Sequence, residues 1–148
     1  MVFFMICLFV SGLTAIPVDW QLSVLLRFAP ESGSLSQWLS KVLYAYREVA
    51  VNHPFLLYGY DWLAFAHFVL AILFIGPYRN PVRNIWVIQF GLIACVLIIP
   101  TAFIAGHFRG IPLGWRLIDC SFGVFGFVVL YICFRKTGKL IYFNTSSN

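Results

Sequence analysis

The sequence predicts an all-α integral membrane protein: a four-helix transmembrane bundle with an amphipathic interfacial helix between the first and second spans. Composition is the first reason, since 61% of the 148 residues are hydrophobic and only 10% are charged, whereas a soluble domain is roughly half apolar and a quarter charged. The second reason is that the apolar residues lie in long runs, and a helical span needs about 20 of them. A single membrane domain over residues 1–148 accommodates this layout.

A first span is expected over about residues 2–18. The run VFFMICLFVSGLTAI contains no charged residue, but it is short for a span, so the bilayer would have to thin around it. A cleaved signal peptide over residues 1–16 is the alternative. It is the weaker one, because no basic residue precedes the run and Leu13-Thr14-Ala15 is a poor cleavage site.

The segment at about 34–52 has the pattern of an amphipathic helix. Apolar side chains recur at helical spacing and charged side chains fall off that stripe. The stripe consists of Leu35, Trp38, Leu39, Val42, Leu43, Tyr46 and Val49. Ser34 and Gln37 fit a capping box at its start. We expect this helix to lie on the outer face of the membrane, with packing over the bundle as the alternative.

Three longer apolar runs predict the remaining spans at about 54–76, 85–105 and 115–134, and a basic polar tail follows at 135–148. The segment between the second and third spans contains Pro77 and Pro81, which favour a turn. Asn84 is placed to cap the third span. Pro100 lies inside that span and predicts a kink, because proline has no N–H to donate.

Five basic residues fall on each side of the predicted membrane, but on one side all five lie in a short loop or directly beside a span, where the positive-inside bias is strongest. The short second loop and the tail carry Arg79, Arg83, Arg135, Lys136 and Lys139, and all five acidic residues fall in the other segments. The positive-inside rule then places both termini in the cytoplasm, as in a multi-pass protein of a bacterial cytoplasmic (inner) membrane. Arg79, Arg83, Arg135 and Lys136 are expected to contact lipid headgroups. Because the positive charge flanks apolar runs, we expect lipids and no nucleic acid as partners.

Four ionisable side chains within or beside the spans are candidate catalytic or binding residues: Asp61, His67, Arg116 and Asp119. Groups of this kind are costly inside a bilayer and therefore often have a function. They are expected to cluster in the outer half of the bundle, where they could move protons or hold a lipid or quinone headgroup. The alternative is an internal network of ion pairs and hydrogen bonds, including Arg116 with Asp119, that locks the helices together.

Small residues suggest which spans pack together. Gly123 and Gly126 lie on one face of the fourth span, and Ala64 lies beside His67 on the second. Small side chains let transmembrane helices approach closely. The second and fourth spans are therefore expected to pack through these faces.

No metal or cofactor is expected. The three histidines have no HxxH or HxxxH spacing, and the four cysteines form no CxxC pair. The cysteines are expected to pack as small hydrophobic side chains.

Two functions are compatible with these patterns. The first is a structural, accessory or binding subunit, working with another membrane protein or as a homo-oligomer. The second is a membrane-embedded enzyme or transport component that acts on a lipid, a quinone or protons through the Asp/His/Arg residues. The lack of paired catalytic motifs favours the first, non-enzymatic function.

Overall fold

The structure, a computed structural model, describes residues 1–30 and 33–146, and this part of the chain contains helices and no strand. Its helices are α1 (Val2–Thr14), α2 (Val18–Phe28), α3 (Ser34–Asn52), a 3₁₀ turn (Pro54–Leu57), α4 (Tyr58–Leu73), α5 (Ile75–Arg79), α6 (Ile85–Phe108) and α7 (Leu113–Ser146). Three stretches are long and apolar enough to cross a membrane, and a fourth is obtained if α1 and α2 count as one bent span. The predicted all-α membrane class is confirmed. Contacts divide the chain into two compact units.

One unit comprises Cys7–Leu70. In it, the predicted first span ends at Thr14 instead of continuing to about residue 18, and α2 runs at 96° to α1. Pro17 lies at the break between the two helices. Proline favours a break because it restricts the conformation of the residue before it and cannot donate a helical hydrogen bond. The 13 residues of α1 extend over about 20 Å, which is less than a bilayer core of about 30 Å. If α1 crosses the membrane, α2 lies close to the membrane plane.

Helix α3 has the predicted bounds, and its apolar stripe packs against α2. Leu39 and Leu43 are buried on α3, and Leu22 is buried on α2. The predicted capping box is wrong, because Gly33 is the N-cap and no side chain bonds to the free N–H groups. The Ser36 hydroxyl instead donates to the Gly33 carbonyl at 3.1 Å. The buried face of this helix therefore lies on protein.

The other unit comprises Met1–Ile6 and Ala71–Asn148, of which residues 147–148 lie outside the described part. Its centre is an antiparallel pair of helices, α6 and α7. Positions later in α6 contact positions earlier in α7, as expected for antiparallel helices. A Cβ atom at Gly91 would lie 2.6 Å from Leu130 Cδ1, and one at Gly106 would lie 2.8 Å from Arg116 Cδ. Small residues at these points let the two helices come this close.

The ends of two spans differ from the predictions, and the kink at Pro100 stays a prediction. Helix α6 continues through Pro100 as one helix, and Thr101 donates to the Leu97 carbonyl at 2.7 Å. The Asn84 side chain does not cap α6, since its Nδ2 donates to the carbonyls of Gly76 and Asn80 instead. Helix α7 continues past Phe134, so most of the predicted polar tail is helical.

Candidate functional site

Arg116 lies one turn into α7 and bonds to the loop between α6 and α7. Its Nε donates to the Ile111 carbonyl at 2.7 Å, and its aliphatic part lies over Gly106. The Ile111 amide in turn donates to the Gly106 carbonyl at 2.8 Å. Gly110 completes the turn with a φ of 65°, which a residue without a side chain adopts readily. Arg116 therefore links the start of α7 to the preceding loop. In the described part of the chain it forms no ion pair with Asp119.

Asp119 stands at the edge of an apolar groove on α6. The groove has a volume of about 500 Å³. It is lined by Phe90, Ile93, Ala94, Leu97, Ile98, Thr101, Ala102 and Asp119. The Asp119 side chain is half-buried, and it has no hydrogen-bond or ion-pair partner among the described residues. This carboxyl group is the one charged group in the lining, so it is the chemically distinctive point of this unit.

Asp61 and His67 belong to the other unit, on α4. The Nδ1 atom of His67 lies 2.7 Å from the Leu63 carbonyl one turn earlier, which leaves Nε2 as the ring nitrogen open to a ligand. Asp61 is exposed in the first turn of α4, where the helix dipole favours a negative charge. Six residues separate the two side chains, so they lie about 120° apart around the helix. The predicted cluster of all four residues stays a prediction.

The face of α7 that carries Gly123 and Gly126 packs against α6, the third span. A Cβ atom at Gly123 would lie 2.7 Å from the Cys95 carbonyl oxygen, and one at Gly126 would lie 3.0 Å from Cys95 Sγ. These glycines therefore pack against α6, whereas the sequence prediction assigned them to the second span. On α4, the buried Ala64 lies opposite Gly12 of α1, whose Cβ would meet the Ala64 carbonyl at 3.1 Å.

An ion pair that the sequence prediction missed joins α2 to α3. Arg47 donates to both carboxylate oxygens of Asp19, at 2.6 and 3.0 Å, and to Ser23 Oγ at 3.2 Å. The hydrogen bond from Arg47 lowers the pKa of Asp19 below its ordinary value, and the same contact raises the pKa of Arg47. No sequence signal identifies this pair, because 28 residues separate its members.

Five cations lie at one end of the α6–α7 pair, and we call this group the basic end. Its members are Arg79, Arg83, Arg135, Lys136 and Lys139, all exposed. The antiparallel register explains their proximity: Gly91 near the start of α6 contacts Leu130, so the preceding loop lies level with the residues that follow Leu130. No acidic residue lies in the segments that form this end. Among the described residues, none of these five cations forms an ion pair.

Within residues 1–30 and 33–142, no three His, Cys, Asp or Glu side chains come close enough together to hold a metal ion. The four cysteines form no disulfide; Cys95 and Cys120 are buried, Cys133 is half-buried and Cys7 is exposed. No family model, no curated protein and no solved structure matches this chain.

Proposed function

We propose that the protein is a non-enzymatic accessory subunit that binds another integral membrane protein. One observation carries this proposal: several polar side chains within the spans bond to carbonyls of their own helix or of the adjoining loop. Arg116 bonds to Ile111, His67 to Leu63, Thr101 to Leu97, and Thr137 to Cys133. An enzyme or transporter needs polar groups that converge on a shared ligand. Local bonding of this kind is what a structural role requires.

The basic end supports a location in the bacterial cytoplasmic membrane with both termini in the cytoplasm. Lysine and arginine beside short loops favour the cytoplasmic side, where anionic lipids also attract them. In this orientation the Asp119 groove opens in the half of the membrane away from the cytoplasm. Lipids at the basic end and a partner protein along the spans would then be the molecules that this chain binds.

The second candidate function is an enzyme or transport component for a lipid-soluble molecule. The observation that favours it is the groove itself, because an apolar cavity with one carboxyl group can hold an amphiphilic molecule. Asp119 would then bind the polar end of that molecule or exchange a proton with it. Asp61, His67 and Arg116 remain the other candidate residues for this function.

Native mass spectrometry of the protein, extracted gently from its own membrane, separates the two functions. The accessory function predicts that the chain is released together with a second membrane polypeptide in a fixed ratio. A chain that carries a stoichiometric quinone, haem, metal or single lipid species, and no second polypeptide, would contradict it. That result would establish the carrier or enzyme function as the better one.

A further inference from the structure

The exposed side of α6 has the form of a helix-packing surface. Counted from Phe90 to Ala102, its groove residues lie at i, i+3, i+4, i+7, i+8, i+11 and i+12, which is the spacing of a single helical face. The large members are open: Phe90 is 45%, Ile93 60% and Leu97 56% exposed. Ala94 and Ala102 alternate with them and leave room for a second backbone. A helix that packs against this side would use the same spacing.

Asp119 adds a charge to this surface. It lies six residues into α7, about 9 Å along the helix from Leu113. A charged carboxyl group at this depth is costly unless it is paired. Arg116, the nearest basic residue in the sequence, donates its Nε to Ile111, and no described residue neutralises Asp119. Charge complementarity therefore favours a cationic side chain on whatever covers the groove.

We propose that the α6 groove binds a transmembrane helix of a partner membrane protein, and that this helix carries a lysine or arginine level with Asp119. This inference rests on the accessory function proposed above and specifies the chemistry of the partner. A second copy of this chain fits less well. In its apolar stretches Pro54–Arg79, Ile85–Phe108 and Leu113–Tyr142, Arg116 is already bonded, and the other basic residues all belong to the basic end, far along α7 from Asp119. A phospholipid has its cationic group at headgroup level and would leave Asp119 unpaired.

Site-specific photo-cross-linking in the native membrane tests where the partner lies. A photoreactive amino acid is introduced at Ile93 or at Leu97, in the groove, and at the matched control position Phe125, which is 71% exposed on α7 outside the groove lining. We expect one partner polypeptide to be captured from the two groove positions and not from Phe125. The captured segment should be an apolar helix with one lysine or arginine. Capture of lipid alone, of a second copy of this chain, or of a helix without a basic residue would overturn the inference.

Charge removal tests the role of Asp119. D119N keeps the side-chain shape and removes the charge, and D61N makes the same change at an exposed position on α4. We expect D119N to lower the yield of co-purified partner about tenfold, as expected for a polar interhelical contact in a membrane, and D61N to leave it unchanged. Changing the partner's lysine or arginine to aspartate should weaken binding to the wild-type chain. Combining that change with D119K exchanges the two charges and should restore binding. Equal partner yield from D119N and D61N would contradict the inference.

Blocking the groove gives an independent result that does not depend on charge. A94W fills the centre of the groove, and A66W adds the same bulk at an exposed position on α4. We expect A94W to release the partner while the chain itself remains monodisperse and inserted. If no variant and no wild-type preparation retains a second polypeptide, the accessory function fails together with this inference. If all of them retain it equally, only this inference fails.

Discussion

The carbonyl oxygen of Cys95 lies 2.7 Å from the point that a Cβ atom on Gly123 would occupy. The two residues bring the backbone of α6 into close contact with a side-chain position on α7. A backbone oxygen inside a helix cannot move aside without moving the helix. The close packing of these two spans therefore requires that position 123 carry no side chain.

Gly123→Ala should destabilise the protein, because the added methyl group would push α7 away from Cys95. Overpacking of this kind costs about 1–3 kcal/mol. Gly138→Ala is the matched control on the same helix, since nothing lies within 4 Å of its Cβ position, and alanine there should be neutral or stabilising. Thermal unfolding in one detergent, followed for both variants, measures the difference. A Gly123→Ala protein as stable as Gly138→Ala would show that α6 and α7 are not in this contact.

Arg116→Lys should loosen the α6–α7 loop, although the charge is kept. Lysine has no Nε–H at the right position to donate to Ile111, and losing a hydrogen bond from a charged group costs about 1.5–3 kcal/mol. Arg109→Lys changes an exposed residue in the same loop and should have little effect. Limited proteolysis of the loop reports the change. Equal cleavage rates for the two variants would mean that the guanidinium group of Arg116 does not hold the loop.

The contact between α2 and α3 should weaken in acid. Asp19 has a lowered pKa in the folded chain because Arg47 bonds to it, so its contribution to stability is complete above the ordinary aspartate pKa. That contribution is lost as the pH falls through the lowered value, because the protonated carboxyl group no longer attracts Arg47. Hydrogen exchange in α3, measured from neutral pH downwards and corrected for intrinsic rates, should rise in the wild type. The Asp19→Asn variant should show the faster exchange in α3 at every pH. If exchange in this variant still rises in acid as it does in the wild type, the acid response belongs to a group other than Asp19.

Neutralising the basic end should remove its preference for anionic lipid. Changing Arg79, Arg83, Arg135 and Lys136 together to glutamine removes four charges, each worth about 1 kcal/mol near an anionic surface. We expect the variant to retain phosphatidylglycerol and phosphatidylcholine equally when both are supplied in mixed micelles. The control variant, Arg27→Gln with Lys41→Gln, removes exposed charges elsewhere and should keep the preference for phosphatidylglycerol. An unchanged lipid preference in the fourfold variant would restrict these residues to a topological role.

Local patterns predicted the helices well where hydrophobic periodicity was clear. The bounds of α3 agree with the expected 34–52, and α6 begins at the expected residue, Ile85. Predictions of side-chain bonds were less successful. Ser34 and Gln37 form no capping box, and Asn84 bonds backward to Gly76 and Asn80. A polar side chain near a helix end has several carbonyls and amides within reach, and only the course of the backbone decides among them.

The candidate site shows the same division. Composition and apolar runs identified Arg116 and Asp119 as residues of interest, because ionisable groups stand out in a membrane span. Their spacing suggested that the two neutralise each other, but Arg116 donates its Nε to the Ile111 carbonyl. The i, i+3 rule describes an isolated helix surface. Here the Arg116 side chain lies over Gly106 and bonds to the Ile111 carbonyl, which is outside its own helix.

The sequence by itself determined the all-helical membrane class, the places of three long apolar helices and the positions of the charged residues, because these depend on composition and on periodicity along a single helix. The tertiary structure alone decided that Gly123 faces Cys95, that Asp19 pairs with Arg47, and that Asp119 lies beside a groove on α6 without a partner in the described part of the chain. These relationships join residues far apart in the chain. They depend on the register between helices, which is set by the packing of many side chains at once and has no local signature in the sequence.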